Sequence, residues 1–228
     1  MKKDVRTLSN RIFLILAGLF IASLVASNLI FQKFFSWNPF GWYNFEISVG
    51  IIPYPITFLV TDIISEIYGK KKATDVVVSG LFASLFVLLI IWVSDAAPAT
   101  SWSPIDDKTF NSVFSFTTIA VGASMIAYLG AQFIDVRIYH FWKKLTNGKK
   151  LWLRNNASTF CSQLADTSIV LILLCYFNVI EWDKFWILLI SGVLFKVIVA
   201  ILDTPLLYLA TYFIRKKLNL KFGEEIPY

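Results

Sequence analysis

Between Arg11 and Gln32 the chain runs for twenty residues without a charge. A helix rises about 1.5 Å per residue, so such a run is about 30 Å long, the thickness of a bilayer's hydrocarbon core. At that depth every backbone polar group must be satisfied within the segment, and a helix does so. Five further apolar runs follow. The expected spans are approximately 12–31, 47–68, 73–93, 113–136, 155–177 and 185–214. The composition agrees, with 57% hydrophobic and 16% charged residues and a mean hydropathy of +0.67. Soluble domains are about 45–50% apolar and about 25% charged. The expected fold class is therefore an all-α integral membrane protein, with a single domain over 1–228 built from six transmembrane helices. The first run is long enough to span and lacks a small-residue cleavage site, which argues against a cleaved signal peptide.

Charge sets the expected orientation. With the N-terminus in the cytoplasm, 17 of the 21 Lys and Arg fall on the cytoplasmic side, in the lead segment, at Lys70, Lys71 and Lys72, in the basic stretch 137–154 and after the last span. Lys33, Lys108 and Lys184 fall outside, and Lys196 is left within the last span. The positive-inside rule then places both termini in the cytoplasm. The same distribution explains the net charge of +6 without a nucleic-acid partner. Eight Trp and nine Tyr suit aromatic belts at the two membrane surfaces. The aromatic stretch 33–46, with Pro39 and Gly41, reads as an interfacial loop.

Within these greasy runs the polar residues fall at helical spacing. Asp62 and Glu66 are four residues apart and project from one face, with Thr57, Thr61, Ser65 and Gly69 on an adjoining line. Ser124, Tyr128, Gln132 and Asp135 repeat the pattern in the fourth span. Asn155, Thr159, Ser162, Gln163, Asp166 and Thr167 repeat it in the fifth. Ionisable groups inside a membrane are costly and face a bundle interior or a watery cavity. Asp62 suits a cavity role, although a carboxylate bonded to a neighbouring Thr or Asn is the structural alternative. Glu66 lies four residues before Lys70, the spacing of an ordinary interfacial ion pair. Asp135 has Arg137 and Lys143 as surface alternatives.

Asp166 and Lys196 each lie fifteen residues from Glu181, where the turn between the last two spans is centred. In an antiparallel hairpin that gives them similar depth, about 20 Å from the turn. They are expected to pair, either as a structural brace or as a pair that also contacts a polar solute. Asp203 is a competing partner for the ammonium, and Pro205 just after it can kink the helix. Tyr54, Phe58, Tyr128 and Phe195 lie near these polar groups and are candidates to stack on a flat heterocycle. Asn28, Asp62, Gln132, Gln163 and Asp166 together supply donors and acceptors for a base-like ligand.

Enzyme signatures are missing. There is no Gly-rich nucleotide loop, and the serines lack a nucleophile-elbow context. The one histidine, His140, has no second ligand at metal spacing. Cys161 and Cys175, on one helix, would be about 21 Å apart and cannot bridge. The residues by themselves point to a cavity for a small polar solute rather than to an enzyme, with no cofactor and no metal.

Five segments in order, Ser27-Asn28, Tyr54-Pro-Ile-Thr-Phe-Leu-Val-Thr-Asp62, Gly130-Ala-Gln-Phe-Ile-Asp135, Asn156-Ala-Ser-Thr159 with Ala165-Asp-Thr167, and Phe195-Lys196, resemble the queuosine-precursor transporter family, a vitamin-uptake-transporter-like group. The likeness covers roughly 12–214. It implies a bacterial inner-membrane protein importing 7-deazaguanine precursors such as preQ0 or preQ1 for tRNA modification. Asn28, Asp62, Gln132, Asp135, Asp166 and Lys196 carry over as substrate-binding candidates, with Gln163 beside them. The fold it implies is similar to the substrate-binding components of energy-coupling-factor importers. Those dock on a separate ATPase module through small-residue helix faces, and Ala22-Ser-Leu-Val-Ala26 has such spacing. An external ATPase module and a homodimer are the partners left open beside the lipid bilayer.

Overall fold

The computed structural model of the chain describes residues 3–39, 41, 43–145, 151–221 and 224–226. Within its helices the side chains at 3, 70, 129, 132, 133, 135, 136, 139, 140, 142–144, 151–159 and 200 lie outside that description. Helix α1 (Lys3–Ile30) is followed by strands β1 (Phe34–Trp37) and β2 (Phe45–Ser48). Then come α2 (Tyr54–Asp95), α3 (Asp107–Phe114), α4 (Thr117–Leu145), α5 (Leu151–Tyr176) and α6 (Phe185–Leu218). Among the described residues five stretches are long and apolar enough to cross a membrane: Asp4–Ile30, Val49–Gly69, Lys71–Asp95, Asp107–Tyr128 and Trp182–Leu218. Phe160–Tyr176 in α5 is apolar and shorter.

One expectation about local structure is corrected, and two polar segments hold helix beyond the apolar runs. The aromatic stretch after α1 is no irregular loop but a two-stranded sheet. Its connection, 38–44, is too short for a parallel crossover, so β1 and β2 form a hairpin. Phe45 and Ile47 are buried while Glu46 and Ser48 take the opposite face, the period of two that a strand imposes. The basic stretch 137–154 is largely helical, since α4 continues to Leu145 and α5 begins at Leu151. Polar residues do not stop a helix, and Lys and Arg near its C-terminus complement the dipole. The polar segment 94–111 contains α3, whose first turn is capped by Asp106, with the Thr109 amide donating to Oδ1 at 2.8 Å.

The second and third expected spans are one element, α2, broken at Gly69, where φ is 83° and ψ is 161°. Only glycine takes that conformation without strain. Helices α5 and α6 end alike. Asn178 and Asn219 take positive φ, and the next amides reach back to Leu174 and Arg215 at 2.9 and 3.0 Å. These are Schellman caps, with asparagine where glycine is usual.

The chain divides into two compact units: Met1–Lys33, Ser48–Asn111 and Val197–Tyr228 form the first, and Phe34–Ile47 with Ser112–Lys196 the second. The first is built on Phe20, Val60, Ile63, Ile64, Ile67, Tyr68, Ala73 and Val76, joined by Leu218 and Ile226. Large apolar side chains such as Leu14, Ile15, Phe82 and Phe86 point outward. Lipid tails are as apolar as such a core, so close packing and polar contacts must hold the helices together. Gly80 serves the first purpose, because a Cβ there would meet the Phe20 ring at 2.8 Å. The Tyr68 hydroxyl, donating to the Ser9 carbonyl at 2.8 Å, serves the second. In the second unit, α4 and α5 pack with Gly130 against Ile169, where a Cβ would fall 2.7 Å from the Ile169 Cδ1.

Candidate functional site

The second unit holds a charged cluster between α5 and α6. Gln163, Asp166 and Thr167 share a face of α5 because they are three or four residues apart. The Lys196 ammonium of α6 donates to Asp166 Oδ2 at 2.8 Å and to Thr167 Oγ1 at 2.9 Å. The Thr167 hydroxyl donates in turn to the Gln163 carbonyl at 2.9 Å. Both charged side chains are largely shielded, Lys196 11% and Asp166 20% exposed. The cluster can form because Gly192, one turn before Lys196, leaves room for Thr167. A Cβ at that position would come to 3.3 Å from the Thr167 Cγ2. Among the described residues the Gln163 Oε1 is buried and accepts no hydrogen bond.

A chain of aromatic rings begins at the residue before Lys196. Phe195, next to Lys196, meets Trp37 of β1 edge-on, with ring centroids 6.0 Å apart. Trp37 also lies 5.6 Å from Phe45, and Phe45 lies 4.8 Å from Tyr43. The hairpin is fastened to α6 at Ser191, which is fully buried. The Ser191 Oγ accepts from the Glu46 amide at 3.2 Å and shares a hydrogen bond with the Tyr43 hydroxyl at 3.3 Å. Nothing in the sequence pointed to Trp37. Its contact with Phe195 joins segments that no local periodicity relates.

The first unit carries the other acids. Asp62 is exposed, and Asp203 lies close enough for its charge to act on Asp62. The Asp203 Oδ2 is buried and makes no hydrogen bond among the described residues. Asp203 was a rival partner for Lys196; the ammonium's bonds run instead to Asp166 and Thr167. The neighbouring hydroxyls answer their own helix: Thr57 Oγ1 donates to the Tyr54 carbonyl at 2.7 Å, and Thr61 Oγ1 to the Thr57 carbonyl at 2.9 Å. Glu66, expected to pair with Lys70, has a partner the sequence reading missed. Arg215 Nη2 donates to Glu66 Oε1 at 2.7 Å and to the Glu66 carbonyl at 3.3 Å. The Lys70 side chain lies outside the described residues.

Of the other candidates, Asn28 is half-buried on α1 and hydrogen-bonded or in electrostatic contact. Tyr54 and Phe58 stack edge-to-face, with centroids 4.6 Å apart. Tyr128 is 38% exposed on α4. The side chains of Gln132 and Asp135 lie outside the described residues. The structure thus unites Asp166, Lys196, Thr167 and Gln163, with Phe195 adjoining, within one unit. It leaves Asp62 and Asn28 in the other. Among the described residues no three His, Cys, Asp or Glu side chains gather as a metal site would require.

Comparison with known proteins finds a family and several relatives. A family described as "Putative vitamin uptake transporter" matches residues 48–210. A Bacillus subtilis protein named "Probable queuosine precursor transporter" is 27% identical over 169 residues, 74% of this chain and 73% of its own length. An Escherichia coli protein named "Queuosine precursor transporter" is 26% identical over 159 residues, 70% of this chain and 64% of its own. A Haemophilus influenzae relative of the same probable function is 25% identical over 191 residues, covering 81% of this chain and 77% of that protein. No solved structure matches the chain significantly.

Proposed function

The chain belongs to the vitamin uptake transporter family, and we propose that it carries queuosine precursors, 7-deazaguanines such as preQ0 and preQ1, inward across the bacterial inner membrane. The observation that carries the cargo is the alignment of three bacterial relatives bearing that name with most of the chain. We read the protein as a stand-alone secondary transporter of six spans, counting α5 with the five longer apolar stretches and setting both termini in the cytoplasm.

The chemistry of the second unit supports a planar, guanine-like cargo. Such a molecule presents an N–H and an exocyclic amine beside a lactam oxygen. A carboxylate such as Asp166 accepts from the first two, and the Lys196 ammonium suits the lactam oxygen. The free acceptor of Gln163 adds a further reading position. Phe195 and Trp37 offer ring faces and edges to a flat heterocycle. In the first unit Asp62 and Asn28 are kept as substrate-binding candidates, with Tyr54 and Phe58 as aromatic partners. Gln132, Asp135 and Tyr128 remain candidates from α4.

The test is complementation of a host unable to make the precursor. Queuosine in its tRNA is measured after feeding low external preQ0 or preQ1, with Asp62→Asn, Asp166→Asn and Lys196→Met beside the wild type. A well-expressed wild type that restores nothing refutes the cargo. Normal uptake by the Asp62 and Asp166 variants refutes the site and leaves the cargo standing.

A second reading, a binding component that needs an external ATPase module, draws on the outer face of α1. Gly18 and Ala22 are exposed there at a four-residue spacing that lets another helix approach closely. Uptake by the purified chain alone in proteoliposomes excludes it.

A further inference from the structure

We propose that Arg215, Glu225 and Ile226 form a latch on the inner end of the first half of α2, and that this latch opens during each transport cycle. The proposal rests on the transporter reading above, which makes this end of the molecule cytoplasmic.

The need for a latch begins with Gly69. Its φ of 83° takes the chain out of the helix, and the carbonyls of a helix's last turn have no donors within that helix. Two of them are answered by residues from far along the chain. The Ile226 amide donates to the Ile67 carbonyl at 2.9 Å. Arg215 donates to the Glu66 carbonyl at 3.3 Å while pairing with its carboxylate at 2.7 Å. Arg215 is itself 8% exposed in its side chain. The Glu225 carboxylate covers the break: a Cβ on Gly69 would lie 2.6 Å from Glu225 Oε2. Ile226 is 5% exposed and Leu218 2%, both in the cluster that contains Ile64 and Ile67.

The fold directs these residues to the break. The Asn219 cap ends α6, and the Lys221 amide then donates to Glu224 Oε2 at 2.8 Å while the Glu224 amide returns to the Lys221 carbonyl at 3.2 Å. Glu225 and Ile226 follow directly and meet α2.

The same contacts mark the attachment as reversible. The Glu66 side of the ion pair is 48% exposed, and an ion pair open to solvent contributes little. Elements that move are drawn from such thinly held regions. Glu66 also stands one turn from Asp62 on the same face, so release of the latch frees the turn that carries that carboxylate.

The test uses the full chain with Cys161 and Cys175 replaced by Ala and Ile226→Cys added. A membrane-impermeant maleimide in inside-out vesicles then labels position 226 only when the latch is open. Arg215→Gln and, as a milder change at a half-exposed residue, Glu66→Gln are expected to raise the labelling rate about tenfold. The exchange Glu66→Arg with Arg215→Glu is expected to restore slow labelling. Saturating preQ1 is expected to raise labelling of the parent chain as the charge variants do. Labelling unchanged by either charge variant overturns the latch. Labelling raised by those variants and insensitive to preQ1 makes it a fixed brace and overturns its part in the cycle. Uptake of preQ1 is followed in right-side-out vesicles, whose lumen is the cytoplasmic side. No uptake by the parent chain refutes the transporter reading and with it the cycle, while the charge-variant arms still decide the contact. Uptake with unresponsive labelling refutes the latch alone.

Discussion

Lys196 and Asp166, thirty residues apart in sequence, meet at 2.8 Å with Thr167 as a second acceptor for the same ammonium. The pair ties α5 to α6 where neither charge is well exposed. A charge alone at such depth is expensive, so each residue requires the other. Whether the pair also serves the cargo is separable by mutation.

Removing one partner takes the counter-charge from the other. Asp166→Asn or Lys196→Met is expected to cost about 3–5 kcal/mol of stability, seen as a lowered melting temperature in detergent. The double variant removes both charges and is expected to recover most of that loss. If the pair touches cargo, uptake stays at least tenfold down in the double variant. Recovery of uptake along with stability makes the pair a brace only.

The close approach at Gly50 leaves no room for a side chain. A Cβ there would lie 2.7 Å from the Ser27 carbonyl oxygen and 2.9 Å from the Phe31 Cβ. The oxygen belongs to the main chain and cannot rotate away. Gly50→Ala is therefore expected to destabilise by about 1–3 kcal/mol through overpacking. Gly122→Ala, with nothing within 4 Å of its Cβ, is the control and is expected to melt no lower than the wild type.

Trp37 tests the chain of aromatic rings. Edge-to-face pairs contribute about 0.5–1.5 kcal/mol beyond simple burial. Trp37→Ala is expected to raise the apparent KM for preQ1 several-fold with little change in maximal rate, and Trp37→Phe to keep most of the affinity. An unchanged KM in the alanine variant would remove Trp37 from the cargo's surroundings.

Asp106 gives α3 a pH dependence. Hydrogen bonds from the Thr109 side chain and backbone hold its carboxyl below the usual carboxylate range. A depressed folded pKa means the cap stabilises the helix fully above the unfolded value, about 3.9. That contribution is lost as pH falls through the lower folded value. Amide exchange at Thr109 and Phe110, corrected for intrinsic rates, is expected to lose protection on that acid limb. Asp106→Asn, which caps without titrating, is expected to show no such limb, and Asp106→Ala to be poorly protected throughout.

The sequence by itself determined the class of the protein and most of its helices. Long charge-free runs admit one solution in a bilayer, and Lys70, Lys71 and Lys72 mark the division between two of them. It also determined the partnership of Asp166 and Lys196, because equal distance from a tight turn gives equal depth in a hairpin. What the tertiary structure alone decided are the contacts that depth cannot specify. Glu66 had a lysine at ideal helical spacing and took Arg215 from the other end of the chain. Trp37 sat in a stretch with no helical period, and the hairpin that carries it is attached at Ser191 and meets Phe195. Helical periodicity relates residues a turn or two apart, whereas these pairs depend on which elements pack together and in what register.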